Sequence, residues 1–452
     1  MGLYERTMKL AVQMKRILNG THAQTEFTRN LEKIQFKSPE ELKALQAISL
    51  CDLLNHAVEN IPYYKNLKGK FKLAPETIFE DIKQFPIITK ETIIEKSNEL
   101  VAPGIEIIGR IETSGTLGRK SVILTDKYTE THAPDEFFNR KIGIVPGKSR
   151  ILLKTARRNI AENIGDIEYE FNRIARSYLI SYSYMNEARL KFMTKTWQQK
   201  RPKIIWGLTQ AICSLAEYME ANNLQVPSPE LVLVGGQTML PQWKATIERI
   251  WSTKVYDRYG SVEAGNTANQ CKQGDGYHYV PTVHFIEILD ENLEPVSEGE
   301  TGSIYITTLS KRAMPMIRYK QDDLVVYTGN VCPCCCNFPI IKDIMGKRRE
   351  GIISPTFTYI HLAPVNSIIT ESGEIGDFQV LQTLQDSLLI RIVEKTPVND
   401  VTLMKIKKDI CTMLDYTMKI TFEKVQLIKI LPNGKLLRIV PINLYKEMEE
   451  SQ

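Results

Sequence analysis

The sequence predicts an α/β protein of at least two domains: a large unit with a β-rich part toward its end, then a small α+β unit. Three observations carry this reading. A chain of 452 residues exceeds what one hydrophobic core usually supports. From Ser121 onward, short β-rich runs alternate with helical stretches, the pattern of strands joined through helices. Past Gly346 the order becomes strand, strand, helix, strand over about a hundred residues, a usual domain size.

The elements follow in chain order. Ser38-Pro39-Glu40-Glu41 forms a capping box with proline at the first helical position. Leu42, Leu45, Ile48, Leu53, Leu54 and Val58 then recur at helical spacing until Pro62 ends the run, so the first hundred residues read as mostly helical. SVILTD (121–126), RILLK (150–154), KIIWG (203–207), LVLVGG (231–236) and KVYDRYG (254–260) read as strands. LTQAICSLAEYMEANN (208–223) and LPQWKATIERIW (240–251) read as helices among them. HFIEILD (284–290), GSIYITTL (302–309) and DDLVVYT (322–328) follow with little helix between them, as a β-rich subdomain. GKRREG (346–351) is charged and flanked by glycines, which suits an exposed hinge. Beyond it FQVLQ (378–382), LLIRIVEK (388–395) and KITFEKVQLI (419–428) read as strands, and VTLMKIKKDICTMLDYTM (401–418) as a helix. The expected domains are 1–345 and 346–452.

Composition narrows the function classes. With 43% hydrophobic and 25% charged residues the chain is globular and not disordered. Its net charge of +5 is small and scattered, which leaves no footprint for nucleic acid. No apolar run approaches the ~18 residues of a spanning helix. Glu5, Arg6 and Lys9 interrupt the stretch where a signal peptide would be apolar, and Arg6 stands where a myristoylation motif wants Ser or Thr. A cytoplasmic protein opening on an amphipathic surface helix is therefore expected.

Four segments carry candidate chemistry. Glu112-Thr113-Ser114-Gly115-Thr116-Leu117-Gly118-Arg119-Lys120 combines hydroxyls, glycines and cations, which can wrap phosphate oxygens. A solvated hairpin turn explains that composition equally well, and the spacing is not that of a P-loop. Tyr256-Asp257-Arg258-Tyr259-Gly260-Ser261-Val262-Glu263 follows a strand; its aromatic ring can stack on a base and its glutamate can hold magnesium. Ile317-Arg318-Tyr319-Lys320-Gln321-Asp322-Asp323-Leu324 offers a carboxylate for ribose hydroxyls. Leu431-Pro432-Asn433-Gly434-Lys435-Leu436-Leu437-Arg438 makes a tight turn with a lysine at its tip. Taken singly, the second reads rather as a core tyrosine with a solvated glutamate and the fourth as an ordinary hairpin turn with a solvated lysine, and the third can equally be a charged turn with an internal ion pair.

Their order and distances resemble the adenylate-forming superfamily of acyl-CoA synthetases and ligases, and within it the phenylacetate–coenzyme A ligase family with its capsular-polysaccharide branch. TSGTLGRK (113–120) resembles the family's phosphate loop, YGSVE (259–263) its Tyr-Gly-x-Thr/Ser-Glu segment, and IRYKQDDL (317–324) its Ile-Arg-Tyr-x-Thr-Gly-Asp-Leu. MGKRREGII (345–353) is similar to the hinge and NGKLLR (433–438) to the terminal Gly-Lys-x-x-Arg, with IPYYK (61–65) and FPIITK (85–90) as further matches. The similarity runs over roughly residues 50 to 445. It implies an N-terminal adenylation domain over 1–345 and a small mobile C-terminal domain over 346–452. Ser114, Gly115, Thr116, Gly118 and Lys120 would hold the ATP phosphates, and Gly235 and Gly236 would line the adenine pocket with Tyr259 against the base. Asp257, Arg258, Gly260, Ser261 and the hinge residue Lys347 would also belong to the ATP site. Glu263 would ligate Mg2+, Asp323 would bind the ribose, and Lys435 would bridge the carboxylate and the α-phosphate.

The implied activity is activation of a small, flat or aromatic carboxylic acid as its acyl-adenylate, with Phe137, Phe138, Trp206 and the GGQTM segment (235–239) as candidate pocket walls or core. Transfer to coenzyme A or a carrier thiol is the default. Transfer to an amine or hydroxyl, transfer of AMP itself, and a non-catalytic nucleotide-binding scaffold are the alternatives. Several positions depart from the pattern. Leu117 and Asp322 replace a Thr and a Gly, and Val262 replaces a Thr or Ser, with Ser261 beside it as a substitute. Lys347, Arg349 and Glu350 stand in for the hinge Arg and acidic pair, and GIISPTFTYIHLAP (351–364) poorly matches the thiolation segment.

Eight cysteines include four crowded at Cys332, Cys334, Cys335 and Cys336. With Cys271 and His278 upstream, Cys332 and Cys334 complete a donor set for structural Zn2+. Cys335 and Cys336 leave the ligand choice open, and free surface thiols or a redox pair are the competing readings. Cys51, Cys213 and Cys411 read as core cysteines.

Overall fold

The structure is a computed structural model. It describes residues 22–112, 121–126, 133–145, 148, 150–154, 169–172, 176–181, 187–237, 239, 241–273, 276–328, 332–347, 351–353, 355, 359–414, 416–428, 437–440 and 445. These fall into two compact units. One takes residues up to Gln321 and from Val325 to Asp343; the other takes Asp322–Leu324 and the residues from Ile344 onward.

The first unit opens on helices α1 (His22–Ile34) and α2 (Pro39–Asn60). The capping box forms as expected: Ser38 Oγ accepts from Glu41 N, and Glu41 Oε2 accepts from Ser38 N. Leu42, Leu53, Leu54 and Val58 are buried, whereas Ile48 is exposed. Short helical turns carry the chain to Ile88, whose backbone bridges to Tyr319. The antiparallel pair β1 (Gly109–Glu112) and β2 (Val122–Thr125) frames the glycine-rich segment, which lies outside the described residues.

A nine-stranded sheet forms the centre of this unit. Its strands are β3 (Arg150–Lys154), β4 (Tyr169–Asn172), β5 (Ser177–Ser181), β6 (Ile204–Leu208), β7 (Leu231–Gly235), β8 (Val255–Ser261), β9 (Gly265–Gln270), β10 (Tyr277–His278) and β14 (Ile340–Ile341). β8, β7, β6, β3 and β5 lie parallel in that order, with antiparallel strands at both edges. Parallel strands are buried on both faces, and this one obeys the rule. One face packs Ile205, Val232, Val234 and Val255 against helices α4 (Glu187–Lys200), α5 (Thr209–Ala221) and α6 (Pro241–Trp251), where Trp197 and Trp251 lie 4.5 Å apart. The other face packs Ile204, Leu231, Leu233 and Tyr256 against Ile142 and Ile144, at the end of helix α3 (Ala133–Ile142). β9 was not legible in the sequence: GNTANQ is polar and small, and pairing with β8 makes it a strand.

Strands β11 (His284–Leu289) and β12 (Thr301–Thr308) pair antiparallel, and β13 (Tyr319–Val326) follows. Arg318, just before β13, is buried. Its guanidinium pairs with Glu287 at 3.0 Å and donates to the carbonyls of Lys83 at 2.8 Å and Phe85 at 3.4 Å, tying the start of the FPIITK segment to the β-rich part.

The second unit begins in β15 (Asp343–Lys347). The GIISPTFTYIHLAP segment supplies the antiparallel pair β16 (Gly351–Ile353) and β17 (Tyr359–His361), then helix α7 (Leu362–Thr370). Strands β18 (Ile375–Leu384), β19 (Ser387–Glu394), β20 (Lys419–Lys424) and β21 (Ile439–Val440) form a sheet in the order β20-β19-β18-β21. Helix α8 (Asp400–Leu414) places Ile406, Ile410 and Leu414 in one buried stripe at four-residue spacing, and Val401 and Met404 in solvent. α8 ends four residues before the expected 418, and β20 ends at Lys424.

The Arg318–Glu287 pair generates a stability prediction. Arg318→Ala strips the partner from a buried carboxylate and is expected to cost about 3–5 kcal/mol. The double change Arg318→Met with Glu287→Gln removes both charges and is expected to recover part of that loss. Equal urea midpoints for the single and double variants would contradict this account.

Candidate functional site

With both faces of the parallel sheet covered, a ligand can reach it only at the strand ends. In such sheets the crevice lies outside the carboxyl ends. Here those ends bring together Trp206 and Leu208 on β6, Gly235 and Gly236 at β7, and Arg258 to Ser261 on β8. Two glycines are required. A Cβ on Gly260 would lie 2.2 Å from the Gly265 carbonyl, so no side chain fits where β8 turns into β9. Gly236 adopts φ +80°, which turns the chain at the end of β7 without strain.

The turn after β8 presents Val262 and Glu263. Ser261 Oγ accepts from Ala264 N at 3.0 Å and donates to Gln321 Oε1 at 2.9 Å, so this hydroxyl holds the turn. Val262 is 38% exposed and Glu263 only 7%, which puts the carboxylate on the inner side. The Glu263 carbonyl accepts from Lys311 Nζ, a buried ammonium. Burial brings Lys311 down to about 8, while Glu263 and Asp126 act to keep it charged. Asp126, fully buried after β2, accepts from the backbone N–H groups of Arg312 and Ala313. Asp126 and Lys311 thus pin the Glu263 turn to the strand leaving the glycine-rich segment. The sequence reading missed both. The available signal was a lysine between the strand-like GSIYITTL (302–309) and the apolar AMPMI (313–317).

Tyr259 is buried beside this turn. Asp257, one position before Arg258, is also buried. Burial pushes it up to about 7, against hydrogen bonds from Tyr277 Oη at 2.8 Å and from Arg258 N. It lies under the sheet end as a structural acid. His284 is likewise internal: Gln46 Nε2 donates to its carbonyl, its Nε2 faces the Ala264 carbonyl at 3.2 Å, and burial brings it down to about 4. Phe137 packs on Phe338 at 5.5 Å within an apolar cluster, so this ring serves the core.

Other expected residues lie elsewhere. Ser114, Gly115, Thr116, Gly118, Lys120 and Lys435 fall outside the described residues. Lys347 closes β15. Asp323 is buried within β13, and its neighbour Asp322 adopts φ +64°. That left-handed conformation favours glycine and tolerates aspartate, a physical account of why Asp can stand at a glycine position. After Lys435 the chain is anchored. Arg438 pairs with Asp377 and lies 5.2 Å over the Phe378 ring, and Gln379 Nε2 donates to the Leu437 carbonyl at 2.9 Å.

A separate cluster gathers Cys271, His278, Cys332 and Cys334, with one donor atom from each lying within 4.8 Å of every other. The Cys271 and Cys332 Sγ atoms are 3.6 Å apart, and Cys334 Sγ lies 3.3 Å from His278 Nε2. His278 Nδ1 meets the Phe338 carbonyl at 2.8 Å, which orients the ring with Nε2 toward the thiols. Burial opposes ionisation of Cys271, yet hydrogen bonds led by His278 pull its thiol down to about 6. Cys335 is exposed, and Cys336 is buried with Phe137 and Phe338.

Comparisons with known proteins agree with this architecture. No family model matches the chain. It is 21% identical to protein CapK of Staphylococcus aureus over 409 residues, covering 87% of this chain and 88% of CapK. It is 23% identical to the phenylacetate-coenzyme A ligase of Aromatoleum evansii over 389 residues, covering 82% and 84% of the two chains. Among solved structures, 2-hydroxyisobutyryl-CoA ligase in its postadenylation state superposes with a TM-score of 0.73 at 17% identity, covering 92% of this chain and 93% of that one. The chain is phenylacetate–coenzyme A ligase-like in sequence and has the adenylate-forming ligase fold. Among the described residues no helix is long and apolar enough to cross a membrane.

Asp257 gives a pH prediction. Its folded value of about 7 exceeds the 3.8 of an unperturbed aspartate, so the folded state keeps a proton that the unfolded chain releases. The stability it contributes is full below pH ~4 and is lost as pH rises through ~7. Urea midpoints from pH 5 to 8 are expected to fall more steeply for the natural protein than for Asp257→Asn. Parallel profiles would refute the assignment.

Proposed function

We propose that this chain is an AMP-forming acid ligase. A carboxylate oxygen of a small acid attacks the α-phosphorus of ATP, the bond to the bridging oxygen breaks, and pyrophosphate leaves. The acyl-adenylate then passes its acyl group to a nucleophile, releasing AMP. The observation that carries this reading is the convergence of Gly235, Gly236, Tyr259 and Glu263 at the carboxyl ends of β7 and β8, in a chain related to acid–coenzyme A ligases.

In this reading Gly235 and Gly236 admit the adenine close to the backbone, and Tyr259 flanks it. Asp257 supports that wall from beneath, Gly260 allows the sharp turn, and Ser261 fixes the turn that aims Glu263. Glu263 holds Mg2+, which supplies positive charge to the phosphates when bound. Asp323 takes the ribose hydroxyls. Ser114, Gly115, Thr116, Gly118 and Lys120 wrap the phosphates, Lys347 belongs to the hinge, and residues 346–452 act as the mobile domain that delivers Lys435. A lysine at the developing negative charge lowers the barrier for bringing two anions together. Coenzyme A is the favoured acceptor because the relatives and the 2-hydroxyisobutyryl-CoA ligase are named for it. A carrier thiol, an amine or a hydroxyl is separated from it by the mass of the product.

The cysteine cluster fits structural Zn2+. Zinc–sulfur bonds of ~2.3 Å at tetrahedral angles set the ligand atoms about 3.8 Å apart. The distances of 3.6 and 3.3 Å are close to that edge length. Zinc there would join the β9–β10 hairpin to the segment before β14.

Acid-dependent pyrophosphate exchange across an acid panel tests the activity. Lys435→Ala and Glu263→Gln are each expected to lower exchange by about 10²–10³-fold, Glu263→Gln also lowering the urea midpoint because its carboxylate helps keep the buried Lys311 charged. No exchange with any acid overturns the reading. Metal analysis tests the zinc centre: one equivalent per chain is expected, with loss of metal and stability in Cys334→Ser. A folded, metal-free natural protein rules it out.

A further inference from the structure

Arg258 is a half-buried cation between the buried Asp257 and Tyr259 on β8, and its side chain is difficult to explain as packing. It is paired in register with Gly235, which has no side chain to obstruct it, and the guanidinium reaches over to Trp206 on β6, 4.5 Å from the ring centroid. Nη2 donates to Asn139 Oδ1 on α3. Nε is buried without an acceptor. Among the described residues no carboxylate forms an ion pair with it. Asp135 acts on it only at longer range, and its Oδ1 already accepts from Asn266. Trp206, which the guanidinium covers, packs against the apolar cluster of Leu233, Tyr256 and Ile142. A cation kept over apolar side chains with one donor unmet is costly unless an anion completes it. Arginine is well suited to that role, since its planar fork matches a carboxylate and it stacks on an aromatic face.

The position narrows which anion that is. Arg258 stands on the α3 face of the sheet, one residue before Tyr259 and beside Gly235. It is therefore at the carboxyl end of the parallel strands, against a flat indole and an amide. An acid bound at these strand ends with its reacting carboxylate toward the nucleotide would bring its far end to this guanidinium.

We propose that Arg258 reads a second acidic group on the acid, so that the preferred substrate is a small dicarboxylic acid and not a purely apolar one. This rests on the reading of the chain as an acid ligase, and it moves Arg258 from the nucleotide to the acid. One carboxylate reacts at the α-phosphate. The other replaces water around the guanidinium and supplies the missing acceptor, with Trp206 as the floor and Asn139 holding the fork in orientation. Arg258 is in this sense a specificity residue with no part in bond making.

The test is pyrophosphate exchange by the full-length protein with matched pairs: glutarate against pentanoate, adipate against hexanoate, terephthalate against benzoate. The diacid is expected to be favoured in kcat/KM in at least one pair. Arg258→Met is expected to lower that ratio by about 10²-fold, chiefly through KM for the acid. Arg258→Lys should restore part of it, and Asn139→Leu should lower it less. A preference for monoacids throughout overturns the inference while leaving the ligase reading intact. So does a diacid preference that survives Arg258→Met, or an effect of that variant on KM for ATP alone. Absence of exchange with every acid overturns both.

Discussion

Among the described residues the parallel sheet is packed on both faces, which directs any approach to its strand ends, and the rest of this site follows from that constraint. Helices α4, α5 and α6 close one face and the end of α3 helps to close the other. At the remaining edge, side chains must be absent where the backbone has to be reached. Gly235 and Gly236 meet this need at β7, and Gly260 meets it where β8 turns back. At β7 and β8 the glycines have a mechanical reason: Gly236 turns the chain at φ +80° and Gly260 leaves no room for a side chain where β8 meets β9.

Buried charges then fix those ends relative to one another. Arg318 with Glu287 binds the segment around Lys83 and Phe85 to β11. Lys311 and Asp126 bind the Glu263 turn to the end of β2. Each contact crosses a long stretch of sequence, and each uses a backbone carbonyl or N–H on one side. Such contacts set loop positions more narrowly than apolar packing does, because a buried donor left without its acceptor is penalised strongly. The Cys271, His278, Cys332 and Cys334 cluster has a comparable task. It sits where β10 and β14 are two residues each, too short to hold a sheet edge by their own hydrogen bonds.

Departures from the family pattern divide along the same lines. Asp322 occupies a left-handed position that most residues avoid, and aspartate tolerates it. Val262 is 38% exposed, and its lack of a hydroxyl costs the turn nothing, because Ser261 already holds it. Arg258 is different. It places a cation with an unmet Nε at the strand end, over Trp206.

Much of the fold was legible because it rests on local periodicity. The capped helix at Ser38, the apolar runs of β3, β6 and β7, and the stripe on α8 repeat a pattern within one element, and a single sequence displays such patterns. β9 was not legible, since a polar hexapeptide becomes a strand only through its partner. Nor were Lys311, Asp126 and Asn139, which look like surface residues until distant segments close over them. By itself the sequence determined the alternation of elements, the motifs and a pool of metal-capable donors whose membership Cys335 and Cys336 left open. The tertiary structure alone decided which thiols meet His278, which hydroxyl holds the Glu263 turn and which cation is left short of an anion. Each of these depends on desolvation and on contacts between residues far apart in the chain, and neither quantity exists until the chain has folded.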